Sequence, residues 1–339
     1  MSYFYRAYGV GIEATSEIPG LEISEPHATR FVLRFETGPE PAWAVRRRAS
    51  AGRIVSQRPA GQSTGDPSFV LTEHSFSAED LTEAVGGKCY ELSYSDGTRF
   101  VVDDPGERVW GTIQPPQTEE DLATYFLGPV MGFLLRRSHV TCLHASAVEL
   151  HGNAVLFCGG PGCGKSTTAA ALALGGAPIL AEDIVPFELT KGRYWAHPGY
   201  PRVCLWPDAV AKLTGNPEAL PRLSATWEKR FLPLDGARAK FADGRRPVGL
   251  IYLLGGRSGE ADAPRFEEMR PREAFLELVQ NTYMNWLLDR ERRAEEFDEL
   301  GEIVQQVPVR RIVAHSDGGR IGELRDRILA DAAHFLAKG

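Results

Sequence analysis

The sequence predicts a β-rich N-terminal region followed by an α/β domain organised around a phosphate-binding loop. Three observations predict it. Strand-like segments separated by turn residues fill roughly the first 115 positions, and several alternate apolar and polar residues with a period of two. A strand, a glycine-rich turn and a helix then follow one another at 154–174, and a further strand completes a βαβ unit within about 35 residues. Finally, 339 residues with 43% hydrophobic and 24% charged content suit one large or two modest globular domains. The boundary is placed at residue 117, giving a β-rich domain over 1–117, with substrate recognition as its expected role, and an α/β domain over 118–339.

The strands expected in the first region are FVLRF from Phe31, AWAVRRR from Ala42, GRIVSQ from Gly52, SFVLTEH from Ser68, CYELSY from Cys89, TRFVVDD from Thr98 and RVWGTIQ from Arg108. Ser95-Asp96-Gly97 joins two of them as a hairpin, because Asp and Gly both tolerate positive φ. Arg46, Arg47 and Arg48 read as a charged strand edge. After Pro115-Pro116, Thr118 is the expected N-cap of a helix with Asp121 at its third position, and Gly128-Pro129 divides that helix. VTCLHASAVEL and AVLFC are strands around a Gly152-Asn153 turn. A helix runs from Lys165 to Gly175-Gly176, and PILAEDIVPFEL is the next strand. Beyond it come strands at PVGLIYLL and VPVRRIVAH, and helices from Pro271 to Asp289, from Ala294 and from Arg320. On the first of these helices Phe275, Tyr283 and Trp286 are expected in the core.

Charge and composition exclude several classes. With 45 acidic and 38 basic residues the net charge is −7, against the footprint of a general nucleic-acid binder. Up to residue 115 there are 16 acidic and 11 basic residues, so most of the excess lies in the β-rich part. The five cysteines are scattered and form no CxxC pair, as expected of free thiols in a reducing compartment. No secretory signal is read at the start, and the longest nearly apolar run, 125–135, is far below the roughly 20 residues of a membrane span. A cytoplasmic protein is expected, with neither nucleic acid nor membrane as a partner.

The chemistry concentrates in Gly159-Gly160-Pro161-Gly162-Cys163-Gly164-Lys165-Ser166, which matches G-x-x-x-x-G-K-[ST] between a strand and a helix. Glycines let backbone N–H groups converge on phosphate oxygens, and the helix N-terminus adds its positive dipole end. Lys165 reaches the β- and γ-phosphates of a nucleoside triphosphate such as ATP, the Ser166 hydroxyl ligates Mg²⁺, and Thr167 supports the first turn. Glu182 and Asp183 close the next strand, whose parallel pairing with its predecessor brings both carboxylates to the phosphates. Glu182 is expected as the base toward an acceptor hydroxyl, and Asp183, with Ser166, as the metal ligand. His144 precedes the loop on LHASAVEL. Arg202 is the first choice for a cation clamping the transferring phosphoryl group, with Lys229 and Arg230 second.

LHASAVELHGNAVLFCGGPGCGKSTT and PILAEDIVPFEL resemble the core of HPr kinase/phosphorylase, a serine kinase family with a P-loop fold of the phosphoenolpyruvate carboxykinase type. The resemblance implies catalytic roles for His144, Lys165 and the Glu182-Asp183 pair, and a homo-oligomer. Glutamate stands at 182 where the family has aspartate. The family's later glycine-rich signature has no counterpart in HPGYPRVCLWPDA from His197, which points away from HPr as the acceptor. The layout as a whole resembles HPr-kinase-related proteins, including precursor-peptide kinases of lasso peptide pathways, and implies a peptide or protein serine as acceptor. An edge of the N-terminal sheet is a place where such a peptide would add as a strand. Two other classes use the same loop: a kinase of a small molecule, and a nucleotide-gated binding protein that transfers nothing.

Overall fold

The computed structural model describes residues 2–26, 32–45, 52–58, 68–76 and 87–336, a mixed α/β chain with several sheets. It divides into two compact units, Met1–Leu134 with Ser224–Thr226, and Leu135–Leu223 with Trp227–Gly339. The division falls at 134/135 rather than at 117, because apolar residues of the intervening helix pack with the preceding strands. Phe126 stacks on Phe35 with ring centroids 4.0 Å apart, and Phe133 meets the edge of Tyr90 at 5.4 Å.

The first unit contains β1 (Tyr3–Ala7), β2 (Val10–Ala14), β3 (Val32–Glu36), α1 (Ala42–Val45), β4 (Arg53–Arg58), β5 (Phe69–Ser75), β6 (Lys88–Tyr94), β7 (Arg99–Asp103) and β8 (Arg108–Thr112). The strands form one sheet in the order β1-β2-β3-β8-β7-β6-β5-β4. The expected turn between β6 and β7 is present: Gly97 has φ +92° and the Thr98 amide donates to Asp96 Oδ1 at 2.9 Å. Ala42–Val45 is a helical turn instead of a strand, because the amides of Ala44 and Val45 both donate to the Pro41 carbonyl. Arg46, Arg47 and Arg48 lie outside the described residues. The β1–β2 hairpin was not foreseen, and it turns through Tyr8 and Gly9 at φ +59° and +77°. At β1 the Phe4 carbonyl accepts from the Ser24 amide at 2.7 Å, and β4 is interrupted by a bulge between Ile54 and Ser56.

A helix follows as α2 (Glu119–Tyr125), a π turn (Phe126–Val130) at Gly128-Pro129, and α3 (Met131–Arg137). Fully buried Asp121 accepts from the Thr118 amide at 2.7 Å and from the hydroxyls of Ser224 and Thr226 at 2.5 and 2.6 Å, which ties Ser224–Thr226 to this unit.

The second unit contains β9 (Cys142–Leu143), β10 (Ala145–Leu150), β11 (Asn153–Cys158), α4 (Lys165–Leu174), β12 (Ile179–Ala181), β13 (Val185–Thr190), β14 (Arg193–Ala196), β15 (Arg202–Leu205), α5 (Pro207–Thr214), β16 (Arg230–Pro233), β17 (Arg246–Ser258), β18 (Arg265–Glu268), α6 (Pro271–Gln280), α7 (Arg290–Gln306), β19 (Val309–His315) and α8 (Ile321–Leu336). The main sheet runs β12-β10-β11-β17-β14-β13-β9, with β19 on β17 and β18 on β19, while β15 and β16 form a separate ladder. On β11, Val155 and Phe157 join the core with α4, α5 and α8, whereas Ala154, Leu156 and Cys158 join the core with α6 and α7. Burial on both faces is why this strand reads as a continuous apolar run. The expected strands VTCLHASAVEL and PILAEDIVPFEL are each broken, at His144 and at residues 182–184, which places candidate site residues at the breaks.

Candidate active site

The loop between β11 and α4 depends on glycine at defined points. Gly164 caps α4 at φ +108°, a left-handed conformation that strains any residue with a Cβ. At Gly159, φ is +150° and a Cβ would lie 2.8 Å from Cys163 Sγ and 3.0 Å from the Leu254 carbonyl oxygen. Lys165 is buried, and its ammonium donates to the carbonyls of Gly159 and Gly160 at 2.8 and 3.3 Å. The chain thus wraps around its own cation, with Gly160, Pro161 and Gly162 exposed on the outside. Thr167 is half-buried in the first turn of α4.

Glu182 and Asp183 follow β12. That strand is not a direct neighbour of β11, as the sequence led one to expect. Antiparallel β10 lies between them, so β11 and β12 point the same way and their C-terminal ends share one sheet edge. The Ser166 hydroxyl donates to Glu182 Oε1 at 2.7 Å, while Asp183 Oδ1 lies 3.2 Å from His144 Nδ1. Ser166 therefore partners Glu182 and not Asp183, the reverse of the expected grouping. Consecutive residues leaving a strand project to opposite sides, and Asp183 takes φ +67°, which swings its carboxylate to the histidine.

Glu182 is 8% exposed, and its carboxyl is pushed up to about 7. Burial is the largest cause and the neighbouring Asp183 charge adds to it. The Ser166 hydrogen bond and the charges of Lys229 and Lys165 act in the opposite direction.

His144 is held in position by residues 281–283, whose contact with it no local pattern announces. Its amide donates to the Asn281 carbonyl at 2.7 Å, Leu143 bridges Thr282, and its ring lies nearly parallel to that of Tyr283 at 5.9 Å. Helix α6 ends at Gln280, so Tyr283 lies beyond the helix; it is buried as expected, and its ring supports the histidine.

The expected cationic clamp is also redistributed. The Arg202 guanidinium lies over the Phe231 ring at 4.7 Å, and Arg230 is buried against Glu218. Lys229 is the cation of this group whose charge acts on Glu182. Its ammonium sits 5.0 Å from the Trp206 ring and 5.5 Å from that of Trp227. A lysine between two indoles loses freedom of position. A basic residue flanked by aromatics on either side of a strand pair was the available signal, in Trp206 and in Trp227-Glu228-Lys229.

All five cysteines are free, and burial pushes the thiols of Cys142, Cys158 and Cys204 up to about 12. Among the described residues no cluster of three His, Cys, Asp or Glu side chains could hold a metal unaided, and no helix is long and apolar enough to cross a membrane.

No protein-family model matches the chain, and no curated protein matches it. Among solved structures, the HPr(Ser) kinase/phosphatase from Coxiella burnetii aligns with a TM-score of 0.31 and 14% sequence identity, over 58% of this chain and 91% of that one.

Proposed function

We propose that the chain is a kinase that transfers the γ-phosphoryl group of ATP to a hydroxyl, with a serine of a peptide or protein as the acceptor. The observation that carries this reading is the convergence at one sheet edge of a lysine-bearing glycine loop, a serine bonded to a buried glutamate, and an aspartate bonded to a histidine. Such a set has separate groups for phosphate, for a hard cation and for a proton.

The backbone N–H groups of the 159–166 loop, Pro161 excepted, and the α4 N-terminus bind the phosphate chain, and Lys165 exchanges its loop carbonyls for β- and γ-oxygens. The oxygen donors of Ser166 and Glu182 suit Mg²⁺, which when bound neutralises charge on the phosphates. Few protein ligands are needed, since such an ion completes its shell with phosphate oxygens and water. Asp183, rather than Glu182, is the base: it is the more exposed carboxylate, and His144 orients it. The acceptor oxygen bonds to the γ-phosphorus as the β–γ bridging P–O bond breaks. The hydroxyl proton passes to Asp183, and ADP leaves with the bond's electron pair. Lys229 supplies positive charge to the equatorial oxygens in the role first assigned to Arg202.

Incubation with ATP, Mg²⁺ and serine-containing peptides, with mass spectrometry of the peptides, tests the reading against Lys165→Ala. Phosphopeptide formed by the wild-type chain alone is the expected result. ATP turnover with no phosphate on any peptide would sink the peptide acceptor, and phosphate found on a small molecule would replace it.

A further inference from the structure

Arg257 lies next to the last residue of β17, the neighbour of β11 on the side away from β10 and β12, so it and Glu182 flank the 159–166 loop from opposite sides. Register explains how it gets there. Cys158 pairs with Leu253, so β17 continues past the end of β11 and rises beside the loop. Arg257 Nη2 lies 3.5 Å from the position that a Cβ of Gly164 would occupy, against the residue that caps α4. Its guanidinium also donates from Nη1 to the His315 carbonyl, a long hydrogen bond of 3.5 Å.

Its neighbours in this part of the chain behave differently. Arg265, Arg310, Arg311, Arg320, Arg325 and Arg327 each face a carboxylate within ion-pair distance. Among the described residues Arg257 faces none, although it is exposed. An arginine beside a helix N-terminus adds its charge to an already positive end, which raises the free energy of the region until an anion arrives. Beside it, His315 Nδ1 accepts from the Asp317 amide at 3.0 Å, which leaves Nε2 to carry the ring proton.

We propose that Arg257 binds the α- and β-phosphates of the nucleotide, the part that is not transferred, at the first turn of α4. This assignment rests on the reading of residues 159–166 as a phosphate loop. Because Arg257 flanks the loop on the side opposite Glu182, it holds ATP and ADP alike and has no share in the transfer step.

Binding of fluorescent ATP and ADP analogues is measured for the wild type, Arg257→Gln, Arg257→Lys and Lys165→Ala, with thermal midpoints as a control on folding. Arg257→Gln is expected to weaken both nucleotides about tenfold, the loss of one charge-assisted contact, and Arg257→Lys to recover part of it. In the transfer assay KM for ATP rises while kcat stays within about twofold. Unchanged affinity in Arg257→Gln, or a loss confined to ATP, overturns the assignment. If Lys165→Ala also binds both nucleotides as well as wild type does, the phosphate-loop reading itself fails. If Lys165→Ala weakens binding and Arg257→Gln does not, Arg257 alone is wrongly assigned.

Discussion

The second unit buries two glutamates, and their surroundings differ. Glu296 on α7 faces the guanidinium of Arg136, itself 3% exposed, whose Nη1 also donates to the Val140 carbonyl at 2.9 Å. Glu182 meets the Ser166 hydroxyl, and the charges of Lys165 and Lys229 reach it from a distance; among the described residues no cation touches it. Burial raises both carboxyls. The first charge is neutralised by a built-in partner, which closes the site. The second has no counter-charge in contact among the described residues, and under the proposed function a metal and nucleotide would supply it. A buried carboxylate thus marks structure or function according to whether the chain supplies its counter-charge.

Five substitutions break or sharpen this contrast. The largest effect is expected from Glu182→Gln, which should lower phosphoryl transfer by about a thousandfold while leaving the fold intact; a loss under tenfold in single-turnover assays would make Glu182 an ordinary buried acid. Next, Arg136→Met leaves Glu296 buried without a partner and should destabilise the chain by about 3–5 kcal/mol in urea unfolding, with Arg136→Met/Glu296→Leu recovering most of that loss. If the single and double variants are equally unstable, the pair is not what holds this region.

Glu182→Gln also has a pH signature. Since the folded state holds this proton more tightly than the unfolded chain does, stability falls as pH rises from 4.5 to about 7, and the deficit is complete above that. The nucleotide-free variant should therefore be more stable than wild type by about 1–3 kcal/mol at pH 8 and equal to it near pH 4, as read by thermal melts across pH. The smallest effect belongs to Arg202→Ala. Losing the contact over Phe231 should cost about 0.5–1 kcal/mol of stability with activity nearly unchanged, whereas Lys229→Ala should reduce transfer at least tenfold. Equal losses of activity from both would return Arg202 to the site.

The parts of the site that were legible in the sequence are local. Glycines at positive φ, a lysine, a serine and a helix start are specified within eight consecutive residues, so 159–166 could be read directly. So could the Asp-Gly turn at 96–97 and the helix start at Thr118, each set by one or two side chains. The β1–β2 hairpin escaped because a tyrosine occupies a positive-φ position at its turn, where Asn, Asp or Gly is the usual signal. Three features of the site depend on contacts between distant residues: the insertion of β10 between β11 and β12, the support of His144 by residues 281–283, and the approach of Lys229 to Glu182. No local pattern encodes these. The two carboxylates were found, but their division of labour depends on a backbone angle at Asp183 that only the folded chain reveals.

That angle has a consequence for descent. A left-handed backbone suits glycine better than aspartate, by about 1 kcal/mol, so folding alone would favour replacing Asp183. If the proposed chemistry holds, a lineage that kept the fold and lost that chemistry would drift to glycine there, and position 183 would tell working copies of this chain from their relics.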